Sequence, residues 1–193
     1  MSRRLRPLGD IPLLIAVGLA AFAYSCVGPR GFVGTEFEPA RPAPPIALTD
    51  HEGQAFERDR TRGQVVLVYF GYTHCPDECP LTMAKLTDAF DLLNEDGSRV
   101  RVLLVTTDPI RDTADALRSY LAAFHPSFLG LTGTPTQLGL VYEGYGVVVM
   151  DDGETHTNRI YVIDRHGDLR LTLPYEATAS EIASDLRALL SEP

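Results

Sequence analysis

Val65-Val66-Leu67-Val68-Tyr69-Phe70-Gly71-Tyr72-Thr73-His74-Cys75-Pro76-Asp77-Glu78-Cys79-Pro80 is the stretch from which the rest of the chain is read. Its first half is β-branched and aromatic and is bounded by Gly71, which predicts a buried strand, while Pro76 and Pro80 suit the opening positions of helical turns. Cys75 and Cys79 therefore stand where a strand hands over to a helix. A helix start carries unpaired N–H groups and the positive end of the dipole, so a thiol there ionises more easily than one in a core. Four residues apart on one turn, the two cysteines are expected with their Cβ atoms about 6 Å apart. That suits one soft metal ion directly, and a disulfide after a small adjustment of the turn.

The chain has 193 residues, enough for one full-sized domain with an N-terminal appendage and too few for two. A hydrophobic content of 45 % describes an ordinary globular core. The net charge of −9 is unevenly spread: Arg3, Arg4, Arg6 and Arg30 against Asp10 make residues 1–30 locally basic, leaving −12 on the remainder. Such an acidic remainder argues against nucleic acid and fits a basic partner, a cation, or simply a well-solvated surface. Three cysteines are too few for a disulfide-stapled scaffold, and with Cys26 in the N-terminal segment only one pair remains for the folded part.

Residues 1–27 have the form of a targeting segment, with basic residues followed by the apolar run from Ile11 to Ala23. Basic residues ahead of such a run stay in the cytoplasm, so the domain is expected on the outer face of the membrane. Three endings fit: an uncleaved anchor over Ile11 to Val27, a signal-peptidase site at Ala21-Phe22-Ala23, or a lipid-bearing Cys26 in Ser25-Cys26. The anchor ranks first. Residues 28–45, rich in proline and glycine, read as a spacer, with the domain running over 46–193.

Ile46 to Phe56 suggests a hairpin turning at Glu52-Gly53. Apolar periodicity predicts a helix from Leu81 to Leu93, and Val102-Leu103-Leu104-Val105 a second buried parallel strand. Asp112-Thr113 reads as the cap of a helix reaching Phe124. Phe128 to Leu131 reads as a strand, Thr134 to Tyr142 as a helix, and Val147 to Met150 and Arg159 to Ile163 as strands around Asp151-Asp152-Gly153. A strand near Leu169 to Leu173 and an amphipathic helix over Ala179 to Leu190 complete the chain. Alternating elements first and hairpin-like strands later predict a mixed sheet with helices on both faces, an α/β, thioredoxin-like architecture.

Two thiolates holding copper or zinc want a further ligand, and five histidines are available. His51 and His166 fall in glycine-containing turns and read as solvated, His125 as a helix-end residue, and His74 as adjoining Cys75 while pointing away from it. His156, in Glu154-Thr155-His156-Thr157, stands just before a strand, where such a sheet brings a loop beside the cysteine turn. Asp108 reads as a carboxylate at the C-terminal end of a parallel strand, the edge at which α/β sheets gather functional groups, or else as a helix cap.

Tyr69 to Pro80, then Thr107-Asp108-Pro109-Ile110-Arg111-Asp112-Thr113, then Phe124-His125-Pro126 with Leu129-Gly130-Leu131-Thr132-Gly133, together resemble the Sco/SenC family of copper proteins. The resemblance covers roughly Ile46 to Leu190. It implies a membrane-tethered thioredoxin-like domain that binds copper, as Cu(I) or Cu(II), through Cys75, Cys79 and His156, with Asp108 close to the metal loop. It further implies delivery of copper to the copper-site subunit of cytochrome c oxidase or to another copper or thiol protein, although some members are assigned thiol-disulfide exchange. An oxidoreductase acting through Cys75 and Cys79 is therefore the alternative. Zinc is a third reading, disfavoured by the lack of a further acid/base group in the motif. The chain departs from the family at Glu78, usually apolar, and at Glu154-Thr155, usually Val-Asp. Glu78 adds a carboxylate expected to raise the thiol pKa values.

Overall fold

The computed structural model describes residues 31–150, 154 and 156–193. Strand β4 (Val65–Gly71) is buried along its whole length. Its alternation divides it between two cores, with Val65, Leu67 and Tyr69 in one and Val66, Val68 and Phe70 in the other. It pairs in parallel with β5 (Val100–Thr106), from Val65 opposite Val100 to Gly71 opposite Thr106, and antiparallel with β7 (Ile160–Ile163). β5 pairs in parallel with β6 (Phe128–Thr132), which is followed outward by the hairpin of β2 (Ala47–Asp50) and β3 (Ala55–Glu57). On the other side β7 pairs with β8 (Asp168–Leu173) and β8 with β1 (Thr35–Pro42). Among the described residues the sheet order is β1-β8-β7-β4-β5-β6-β2-β3.

The first core is closed by α1 (Glu78–Leu93), α2 (Ala114–Leu121) and α4 (Ala179–Ser191), through residues such as Met83, Leu86, Leu117, Ile182 and Leu186. The second is closed by α3 (Pro135–Tyr145) with Leu138, Val141 and Tyr145, helped by Leu48 and Phe56 of the β2–β3 hairpin. Helices thus cover both faces of a mixed sheet, as the alternation of elements predicts. Their ends follow local chemistry. Thr134 with Gln137 and Thr178 with Glu181 form capping boxes, and Gly146, at φ 67°, supplies the left-handed residue that ends α3.

Three segments differ from the sequence reading. Part of the expected spacer, Thr35–Pro42, is strand β1, with Thr35 opposite Thr172 and Pro42 opposite Asp168. An edge strand tolerates proline because one side of its backbone needs no partner, and the register shifts across the stretch containing Pro39. Val147 to Met150 forms no extended strand; a single bridge joins Val149 to His156, with Val148 and Thr157 bonded beside it. Val147 and Val149 pack on the second core while Val148 and Met150 are exposed, so the segment alternates as a strand would but pairs only at that bridge. Thr113 alone caps α2, accepting from Ala116 N–H at 3.2 Å, and Asp112 is turned elsewhere. Residues 1–27 with Cys26, and the Asp151–Gly153 turn, lie outside the described residues. No helix among the described residues is long and apolar enough to cross a membrane.

The entry to β1 depends on Asp185 of α4, whose buried carboxylate accepts from Val33 N–H at 3.1 Å and Gly34 N–H at 2.9 Å. Gly34 lies so close to β8 that an added Cβ would stand 2.5 Å from Leu171 Cδ1. Replacing Asp185 with Ala leaves two backbone donors without their acceptor, so a loss of about 1–3 kcal/mol is expected in urea unfolding. Hydrogen exchange should rise first in residues 33–42.

Candidate metal centre

The cysteine turn is held from below. Asp112, fully buried, accepts from Thr73 N–H at 3.1 and 3.2 Å, from Thr73 Oγ at 2.6 Å and from Thr106 Oγ at 2.7 Å. One carboxylate therefore ties the loop two residues before Cys75 to the end of β5. Cys75 N–H then donates to Tyr72 O at 3.4 Å, and α1 begins at Glu78, so Cys79 falls in its first turn. Gly71 is required by close approach: a Cβ there would lie 2.9 Å from Cys79 Sγ and 3.0 Å from Tyr69 Cε1.

The two thiols are free and unequal. Cys79 is 1 % exposed and receives a hydrogen bond from the Tyr69 hydroxyl at 3.5 Å, while Cys75 is half-buried and receives one from Cys79 N–H at 3.3 Å. Burial pushes the Cys79 thiol up to about 12. Burial also opposes ionisation of Cys75, but the N–H groups of Cys79 and Asp77 and the side chains of Cys79 and Tyr72 outweigh it and hold that thiol below its ordinary value. The carboxylate of Glu78, expected to raise both thiols, is exposed and accepts from Asn158 Nδ2 at 2.8 Å. Burial, not Glu78, is the largest cause of the rise at Cys79.

Tyr72, Cys75, Pro76, Asp77, Glu78, Glu154 and His156 line an open cavity of about 350 Å³. Cys75 and His156 share it, with Cys79 buried behind. The His156 ring meets Tyr72 edge to face at 6.0 Å, and its Nδ1 lies 3.2 Å from Thr157 O. A carbonyl only accepts, so a neutral ring in this contact carries its proton on Nδ1 and leaves Nε2 a lone pair for a metal. Two sulfurs and one such nitrogen form a donor set suited to a soft cation. Among the described residues no group of three or more His, Cys, Asp or Glu side chains is placed to hold a metal ion.

Asp108 is buried but makes no hydrogen bond to His156, and it does not cap α2. Its carboxylate binds the guanidinium of Arg111, which also donates to Glu154 at 2.7 Å and stands over the Tyr72 ring at 5.9 Å. Asp108 therefore reaches the His156 loop through Arg111. The other histidines lie apart from the cavity. His74 is exposed and turned to Thr73 Oγ at 3.0 Å, His125 packs on Phe90 beyond the end of α2, and His166 is exposed. His51, expected in solvent, instead accepts from Gly130 N–H at 2.9 Å and has a side chain only 14 % exposed. Sequence reasoning missed Asp112 as a brace, because its partner Thr73 is 39 residues away and its neighbour Thr113 carries the visible capping signal.

Residues 35–191 match the SCO1/SenC family model. The chain belongs to this family. An SCO2-like protein of Rickettsia conorii is 33 % identical over 190 residues, covering 92 % of this chain and 93 % of the relative. The solution structure of apo Sco1 from Thermus thermophilus is 33 % identical with a TM-score of 0.75, covering 84 % of this chain and 99 % of that one. The structure of Bradyrhizobium japonicum ScoI with copper bound is also 33 % identical, with a TM-score of 0.69 and coverage of 77 % and 99 %. The fold of this SCO1/SenC chain is thioredoxin-like.

The unequal thiols make a kinetic prediction. Only the thiolate alkylates, so a depressed pKa moves the rise of rate with pH to lower pH, and a raised one moves it up. In the metal-free reduced protein, iodoacetamide should modify Cys75 with a midpoint below that of a free cysteine. In a Cys75→Ser variant, Cys79 should remain unmodified through neutral pH until the protein unfolds, as peptide mass mapping would show.

Proposed function

We propose that this protein is a membrane-tethered copper chaperone, loading copper onto Cys75, Cys79 and His156 and delivering it to the copper-site subunit of cytochrome c oxidase or to another copper or thiol acceptor. The observation that carries the reading is the open cavity shared by Cys75 and His156 with Cys79 behind it, in a chain whose Bradyrhizobium relative is solved with copper bound. Two thiolates satisfy Cu(I), and the imidazole adds a third donor suited to Cu(II). Asp77, Glu78 and Glu154 around the cavity favour a cation. Ile110, Val148 and Met150, 91 %, 63 % and 55 % exposed, stand on the loops that carry Arg111 and His156 and offer apolar area to a docking acceptor. In this reading residues 1–27 keep the domain at the outer face of the membrane, which raises the effective concentration of a membrane-bound acceptor without any new contact.

The test is metal loading of the purified domain in both oxidation states. His156→Ala should weaken Cu(II) by about 100-fold or more and Cu(I) far less. Equal losses would defeat this division of roles, and binding of zinc in preference to copper would defeat the copper assignment.

A thiol-disulfide oxidoreductase is the second reading, favoured by the contrast between a lowered, accessible Cys75 and a raised, buried Cys79, the pattern of an attacking and a resolving thiol. For the chaperone, oxidation of the pair should abolish copper uptake and reduction should restore it. Rapid turnover of a disulfide substrate by the metal-free protein would favour the enzyme instead.

A further inference from the structure

We propose that Tyr69 is a positioning residue whose hydroxyl sets the redox poise of the cysteine pair and the electronic character of the Cys79 sulfur. Tyr69 is fully buried in the middle of the sheet, in the core beneath α1, and its hydroxyl donates to Cys79 Sγ at 3.5 Å. The absent side chain of Gly71 makes room for both partners, since a Cβ there would crowd each of them. A ring held by core packing cannot swing its hydroxyl out to water. Tyr69 therefore presents a fixed donor to whatever state the buried sulfur is in.

Sulfur accepts unequally in its different states. A thiol accepts a hydrogen bond and a metal-bound thiolate accepts a stronger one, whereas a disulfide sulfur is a poorer acceptor, so the buried hydroxyl loses part of that bond on oxidation. With glutathione the exchange balances: the two thiols of Cys75 and Cys79 and one glutathione disulfide give the intramolecular disulfide and two glutathione thiols. The Tyr69 hydrogen bond favours the left-hand side. In the copper-bound form, which rests on the function proposed above, the same donor withdraws electron density from the Cys79 thiolate and raises the energy of sulfur-to-Cu(II) charge transfer.

The experiment compares the wild-type domain with Tyr69→Phe, which removes one oxygen and keeps the ring. In glutathione buffers of graded composition, Y69F should move the dithiol–disulfide equilibrium two- to tenfold toward the disulfide, a fall in potential of about 10–30 mV at 30 mV per tenfold. Should Y69F unfold, fluorotyrosine at position 69, a stronger donor of nearly the same shape, must move the equilibrium toward the dithiol. Loaded with Cu(II), Y69F should keep wild-type stoichiometry while its charge-transfer band shifts to longer wavelength. An unchanged equilibrium overturns the proposal, as does a pair that forms no disulfide. A wild-type protein that binds no copper defeats the chaperone reading alone, because the glutathione equilibrium still decides the role of Tyr69.

Discussion

The carboxylate of Asp112 holds the loop before Cys75 to the sheet through four contacts, three from Thr73 and one from Thr106. Everything above it depends on that anchorage. A loop between a strand and a helix ordinarily runs over the surface and moves more than the elements it joins. Here a buried anion is satisfied by donors from that loop and from β5, and releasing the loop would strand the charge. The placement of both cysteines therefore inherits the rigidity of the central strands.

A second constraint comes from β4 itself. Because it is buried on both faces, its side chains serve two cores at once, and Tyr69 can bring a hydroxyl to Cys79 only by belonging to the core beneath α1. The opposite wall of the site is built differently. Among the described residues the segment of His156 is joined to its neighbour by one bridge, to α1 by Asn158 donating to Glu78, and to the β5 end by Arg111, which joins Asp108 and Glu154.

Much of this was legible in the chain. The run from Val65 to Gly71 announced a buried strand, the periodicity of Leu81 to Leu93 a helix, Asp112-Thr113 the start of another, and the patterns of Thr134 to Tyr142 and Ala179 to Leu190 two more. The closeness of Cys75 to Cys79 followed from local spacing. What local pattern could not convey was pairing at a distance. Prolines in Thr35–Pro42 resemble a spacer until β8 is beside them, and Asp112 resembles a cap until Thr73 arrives. His51 reads as a turn residue until Gly130 N–H reaches it. Asp108 was legible as a residue near the site, but its route to the His156 loop runs through Arg111, which no short-range signal singles out.

The burial of Cys79 behind Cys75 also has a temporal meaning. A ligand approaching from outside meets the cavity walls, Cys75 and His156, before it can reach the sulfur at the base of α1. Any cation shared among these side chains would therefore change hands in sequence, with the outer bonds exchanged early and the inner sulfur relinquished last. In the proposed function, such an order would act as a ratchet against premature loss. Solvent would meet the outer contacts first, and an acceptor would have to enter the cavity to complete the exchange.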